Sequence, residues 1–293
     1  PLRTHNRPIE KITMFARIFS TLVLWTITVL AIIYLKSLGW AAIICVLSAG
    51  ALFETCKILD KMGASTLLKT AQFLNIGIFT AAWGLSYFGL FPFAGGAVMY
   101  ALCCGFLAVS ILRQPFGDYA RKSVFPTILA LTAISFPLQW LVILGAEMRS
   151  DISEYTGIVL AVWILAAAKF SDVGAYVIGA AFGRHKMAES ISPKKTIEGA
   201  VGGLISSAAV SILFACGFAH ILPEQFTPLA AAIGGAIIGA AAIFSDLLES
   251  VLKRTAKVKD SGNFIPGIGG ALDLADSLLL TAPIGTLIIS ILV

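Results

Sequence analysis

Two aspartates three residues apart, Asp273 and Asp276, follow the glycine-rich turn Pro266-Gly267-Ile268-Gly269-Gly270. A basic stretch precedes that turn, with Lys253-Arg254 and then Lys259-Asp260. These residue types in this order suit a metal–phosphate site. Glycines let backbone N–H groups approach phosphate oxygens closely. Two acids at helical spacing point the same way and, with phosphate oxygens, complete a shell of the kind Mg²⁺ prefers. The helix dipole alone would account for one acid at a helix start, but not for two beside a glycine turn and a run of cations. The stretch therefore reads as the core of a metal-dependent site acting on phosphates.

Three further segments carry the same chemistry. Asp246, Glu249, Ser250 and Lys253 fall on one face of a helix by their spacing. Glu249 and Lys253 make an i,i+4 pair, which leaves Asp246 without a partner and marks it for a site. Upstream, Lys169 and Asp172 stand three apart and suit either an ion pair that glues helices or an Asp that lines a site and ligates metal. Between them in sequence, Ile191-Ser192-Pro193-Lys194-Lys195-Thr196 has Ser192 placed as an N-cap and Pro193 as the first helical residue. A helix starting there would offer N–H groups and two lysines to an anion. His185 reads as an ordinary basic loop residue.

The elements that hold these residues are membrane spans. Of 293 residues, 58% are hydrophobic and only 13% charged, about half the charge that a soluble domain of this size carries. Apolar runs of about 20 residues, the length that crosses a bilayer, fill the chain from end to end. The first is too long, and too soon followed by another, to read as a cleaved signal peptide. The expected fold is all-α and polytopic, with about nine spans near 15–35, 39–58, 71–92, 94–112, 124–145, 157–182, 197–219, 228–252 and 275–293. It forms a single membrane domain over 1–293, with amino-terminal helices in 1–150 and the catalytic helices and loops in 151–293.

Loop charge orients the spans. Lys57, Lys61 and Lys69 follow span two; Arg113, Arg121 and Lys122 follow span four. Arg184, Lys186, Lys194 and Lys195 follow span six, and Lys253, Arg254, Lys257 and Lys259 follow span eight. The alternate loops are acidic or nearly uncharged, with Glu147, Asp151, Glu154 and Glu224 against Lys36 and Arg149. By the positive-inside rule the amino terminus and the chemistry face the cytoplasm. The net charge of +5 then belongs to loops facing anionic headgroups, and no nucleic-acid partner is expected. Cys45, Cys56, Cys103, Cys104 and Cys216 show no ligand spacing or disulfide framework.

Taken together, these motifs resemble the phosphatidate cytidylyltransferases, also called CDP-diacylglycerol synthases. That family's signature runs Lys-Arg, four residues, Lys-Asp, then Pro-Gly-His-Gly-Gly and Asp-Arg-x-Asp. Lys253 to Asp276 follows it, and the segments around Asp172-Val173-Gly174-Ala175-Tyr176 and Ile191–Gly199 are similar to the family's. The likeness covers roughly residues 165–280; before that, Glu54 and the hydropathy agree. Ile268 stands where the family has His, and Leu274 where it has Arg.

The resemblance implies transfer of the cytidylyl group of CTP to phosphatidate, giving CDP-diacylglycerol and pyrophosphate in phospholipid biosynthesis. It implies Mg²⁺ held by Asp246, Asp273 and Asp276, with Asp172 and Asp260 as further ligands or groups behind them. A second cation, divalent or K⁺, fits the same expectation. Lys253, Arg254, Lys259 and the turn of Gly267, Gly269 and Gly270 would hold the CTP phosphates. Ser192, Lys194 and Lys195 would meet phosphatidate or pyrophosphate. The expected setting is the inner (cytoplasmic) membrane, with the bilayer as partner and a homodimer as assembly.

Overall fold

The computed structural model describes residues 7–90, 94–110, 117–148, 153–189, 191–258, 261–262 and 269–293. The chain is all-α apart from one short hairpin. Its elements are α1 (Arg7–Lys61), α2 (Leu68–Tyr87), α3 (Ala94–Ser110), a π-helical turn (Ala120–Val124), α4 (Phe125–Ala133), α5 (Ser135–Glu147) and α6 (Thr156–Phe182). There follow β1 (Lys186–Ala188), β2 (Ser192–Thr196), α7 (Ile197–Gly217), α8 (Pro228–Thr255), α9 (Ala271–Ala275) and α10 (Leu278–Leu292).

Among the described residues, six helical stretches are long and apolar enough to cross a membrane: Thr26–Lys61, Ala120–Glu147, Thr156–Phe182, Ile197–Gly217, Pro228–Thr255 and Ala271–Leu292. The chain is thus a polytopic membrane protein, and the count of nine is not reached by this measure. Each shortfall has a local reason. The first two expected spans lie on α1, which breaks at Lys36 with φ 52° and ψ −129°. The chain bends so sharply there that a Cβ on Gly39 would stand 2.6 Å from the Ala31 carbonyl carbon. α2 is interrupted by Lys69, Gln72 and Asn75, and α3 has only 17 residues.

Small residues draw α6, α7 and α8 together. Ser207 donates to the Gly235 carbonyl at 2.6 Å, and Ser171 to the Gly239 carbonyl at 3.2 Å. A Cβ on Gly235 would come within 2.8 Å of the Ser207 carbonyl oxygen, so only glycine permits this approach. Such close backbone contact with hydroxyl bridges is how helices associate where no hydrophobic force separates protein from lipid. In the amino-terminal half, buried Asn75 accepts from Ser48 at 2.8 Å and from Ser135 at 2.7 Å, tying α2 to α1 and α5.

The loops sort onto two faces. On one, Ser65 N–H donates to the Lys122 carbonyl at 2.7 Å, Leu272 N–H donates to Glu54 at 2.9 Å, and Lys195 pairs with Asp246 at 2.5 Å. The segments after expected spans two, four, six and eight therefore gather together. On the other face Lys36 pairs with Glu154 at 2.8 Å, and Thr156 donates to the Ile221 carbonyl at 3.0 Å. Among the described residues, these contacts join the basic loops to one another and Lys36 to the segments holding Glu154 and Ile221.

Candidate active site

The last turns of α8 form the floor of the site. Asp246, Glu249 and Lys253 recur at i, i+3 and i+7, so they share one face. α9 is set against them by hydrogen bonds at both ends. At its start, Gly270 is the N-cap and Asp273 accepts from Gly270 N–H at 2.9 Å. Buried Glu54, from α1, accepts from Leu272 N–H at 2.9 Å. A side chain on Gly270 would strike the Glu54 carboxylate and the Ser261 hydroxyl, and Gly269 takes φ 127°, which suits glycine alone. At its end, the Asp276 carbonyl accepts from the Ser245 hydroxyl of α8, and its carboxylate accepts from Ser277 N–H at 2.5 Å.

These bonds bring three carboxylates together. Oxygens of Asp246, Glu249 and Asp276 all lie within 4.8 Å of one another. Three lysines reach the cluster and its neighbours. Lys195 pairs with Asp246 at 2.5 Å. Lys253 holds Glu249 at 2.5 Å and also pairs with Asp273. Lys169 lies 3.5 Å from Asp276 and 4.0 Å from Asp172. With every group ionised, five carboxylates face three ammonium groups and leave a formal charge of −2. Glu249 is nearly enclosed, its side chain 3% exposed. A partly buried group of acids with that excess is costly alone and fits a divalent cation. The donor set, all carboxylate oxygen, suits Mg²⁺ better than a soft metal.

The expected residues divide into several groups. Asp246 and Asp276 stand in the cluster. Asp273 and Asp172, also expected to ligate, stand outside it, each beside a lysine. Glu249 takes the third place. Its i,i+4 bond to Lys253 is real, and reading it only as a salt bridge hid its second set of neighbours. Glu54, the early residue that agrees with the family, makes a contact across 218 positions that spacing does not show. Lys259, Asp260, Gly267 and Ile268 lie outside the described residues.

The expected helix start at Ser192 and Pro193 is corrected. Ser192–Thr196 is a strand paired antiparallel with Lys186–Ala188. The helix begins at Ile197, capped by Thr196, whose hydroxyl accepts from Gly199 N–H at 3.1 Å. Lys194 and Lys195 therefore alternate across a strand and do not share a helix end. Lys194 is exposed while Lys195 turns in to Asp246. Arg254 supports the hairpin, donating to the Ile191 carbonyl at 3.4 Å. His185 contacts Glu198 at 2.6 Å.

This is a polytopic all-α membrane protein with an acid–lysine cluster near Gly269 and Gly270. Residues 15–292 match the Cytidylyltransferase family, and the chain belongs to it. Among its relatives are proteins named phosphatidate cytidylyltransferase. That of Chlamydia muridarum is 39% identical over 157 residues, 52% of this chain and 50% of the relative. That of Synechocystis is 40% identical over 129 residues, 44% and 42% of the two chains. That of Mycobacterium bovis is 28% identical over 257 residues, 86% and 81% of the two chains. The chain thus spans about half the length of the first two relatives and most of the third.

Proposed function

We propose that the chain transfers the cytidylyl group of CTP to phosphatidate, releasing pyrophosphate and leaving CDP-diacylglycerol in the membrane. The observation that supports this reading most is the convergence of Asp246, Glu249 and Asp276 with three lysines, in a member of the Cytidylyltransferase family. A phosphate oxygen of phosphatidate attacks the α-phosphorus of CTP, and the bond to pyrophosphate breaks. That oxygen is already ionised at neutral pH, so no general base is required, and Ile268 in place of His removes nothing the step needs. Catalysis rests on position and on charge neutralisation.

Asp246, Glu249 and Asp276 would hold Mg²⁺, which when bound screens the phosphates and the departing pyrophosphate. A second cation, divalent or K⁺, would lie toward Asp172 and Asp273. Lys253 and Arg254, with Lys259 and the turn of Gly267, Gly269 and Gly270, face the CTP phosphates. Lys195 and Lys194, with Ser192, face phosphatidate or pyrophosphate. The site opens to the cytoplasm, where CTP is available, and the chain works in the inner membrane as a homodimer.

The test is radiolabelled CTP with phosphatidate in detergent. The expected product is a lipid-soluble cytidine compound, formed with one pyrophosphate and abolished in Asp276→Asn. Release of CDP with a phosphorylated lipid would instead make the chain a CTP-dependent lipid kinase. No labelled lipid, with substrate flux in liposomes, would make it a transporter.

A further inference from the structure

Away from the acid cluster, the same face carries a groove of about 570 Å³ between the end of α1 and the start of α4. Its lining runs from charged to apolar along one direction. Arg121 and Lys122, in the π-helical turn, stand at one end; Phe125 and Leu129, one and two turns further along, form the wall, with Met62 and Leu59 opposite. At 1.5 Å per residue, Leu129 lies about 10 Å below Lys122. Phe125 and Leu129 are each 58% exposed. The two sides of the groove are also tied to each other. Ser65 N–H donates to the Lys122 carbonyl at 2.7 Å, and Leu67 N–H donates to the Thr127 hydroxyl at 2.9 Å. A π-turn at this point is itself uncommon, and such turns gather at functional sites.

The geometry points to a binding site for an anionic phospholipid, its phosphate at Arg121 and Lys122 and an acyl chain along Phe125 and Leu129. The occupant follows from polarity and charge. A lipid is the ligand whose own charged-to-apolar gradient matches the lining over this depth. The charged end is cationic in sum, because Asp118 pairs with both Arg121 at 3.0 Å and Lys122 at 3.7 Å, and one carboxylate cannot neutralise two cations. Lys61 and Asp60, adjacent and exposed at the neighbouring end of α1, offset each other, so the excess stands at one positive charge. A zwitterionic lipid gains little from that excess. The assignment does not depend on the reaction proposed above, since it concerns a different set of residues.

The full chain in phosphatidylcholine nanodiscs would be exposed to photoactivatable phosphatidylglycerol or phosphatidylcholine, and labelling quantified on the peptide holding Phe125 and Leu129. Phosphatidylglycerol should label that peptide in preference. Arg121→Gln, which leaves Lys122 neutralised by Asp118, should cut the preference about fivefold, roughly the worth of one basic charge at a lipid surface. Asp118→Asn should raise it, a gain that misfolding cannot mimic. Lys186→Gln, on the exposed hairpin, should leave it unchanged. Equal labelling by the two lipids, an equal fall in Lys186→Gln, or displacement by inorganic phosphate would each overturn the assignment; the last would mean that a free anion suffices.

Discussion

Lys253 holds two carboxylates at once, Glu249 of its own helix and Asp273 of α9. It is both the counter-ion that lets the acids coexist and the bridge between the two elements. Removing it and removing an acid should therefore move metal dependence in opposite directions. Glu249→Gln should raise the Mg²⁺ concentration for half-maximal activity by about 10-fold or more, the usual scale for disturbing a metal site. Lys253→Met should lower that concentration while also lowering kcat. A Mg²⁺ titration of both variants checks the pair; no rise in Glu249→Gln would remove Glu249 from the ligand set, and a rise in Lys253→Met would remove Lys253 as the competing counter-ion.

Glu54 acts at the same scale but through α9. Glu54→Leu leaves Leu272 N–H buried without an acceptor, which costs roughly 1–3 kcal/mol. Glu54→Gln keeps an oxygen there and should restore most of the melting temperature in detergent. Because α9 carries Asp273 and ends at Asp276, Glu54→Leu should also raise KM for CTP, and Glu54→Gln should not.

Among elements, the seam of α6, α7 and α8 and the cap of α7 make separate predictions. Gly235→Val forces a side chain against the Ser207 carbonyl, an overpacking that costs about 1–3 kcal/mol or more. Thr196→Ala removes the N-cap and should cost about 1 kcal/mol. Thermal unfolding in a single detergent measures both, and Gly235→Val should fall further. This is also the scale at which sequence reading divides. Hydropathy located the helices because a bilayer allows few alternatives to them. It missed the hairpin because Ser192-Pro193 has the same composition as a helix start. The strand forms because β1 pairs with it and Arg254, 63 positions further on, grips Ile191; the second contact is not local. Asp246 and Asp276 could be named from spacing; their convergence with Glu249 required the bonds from Ser245 and Glu54.

At the scale of the whole molecule, the separation of loops onto two faces is open to chemical labelling. Lys36→Cys and Lys186→Cys, in a chain with its five native cysteines replaced, should react with an impermeant maleimide from opposite sides of the membrane. Labelling of both from one side would contradict the orientation read from loop charge.

The glycine and serine contacts of α6, α7 and α8 have a consequence for motion. Helices that touch backbone to backbone and share hydroxyl bridges have little room to slide or part, so these three should move as one body. Opening and closing of the acid–lysine site then falls to what rests on that body. Those parts are the hairpin, attached through Lys195 and Arg254, and the short α9, attached through Lys253, Lys169 and Ser245. All but the Arg254 and Ser245 contacts are ion pairs to the acids of the cluster or to Asp273 beside it. The lysines that neutralise the acids are thus also the fasteners of the moving parts, and anything that competes for those lysines loosens the door it enters by.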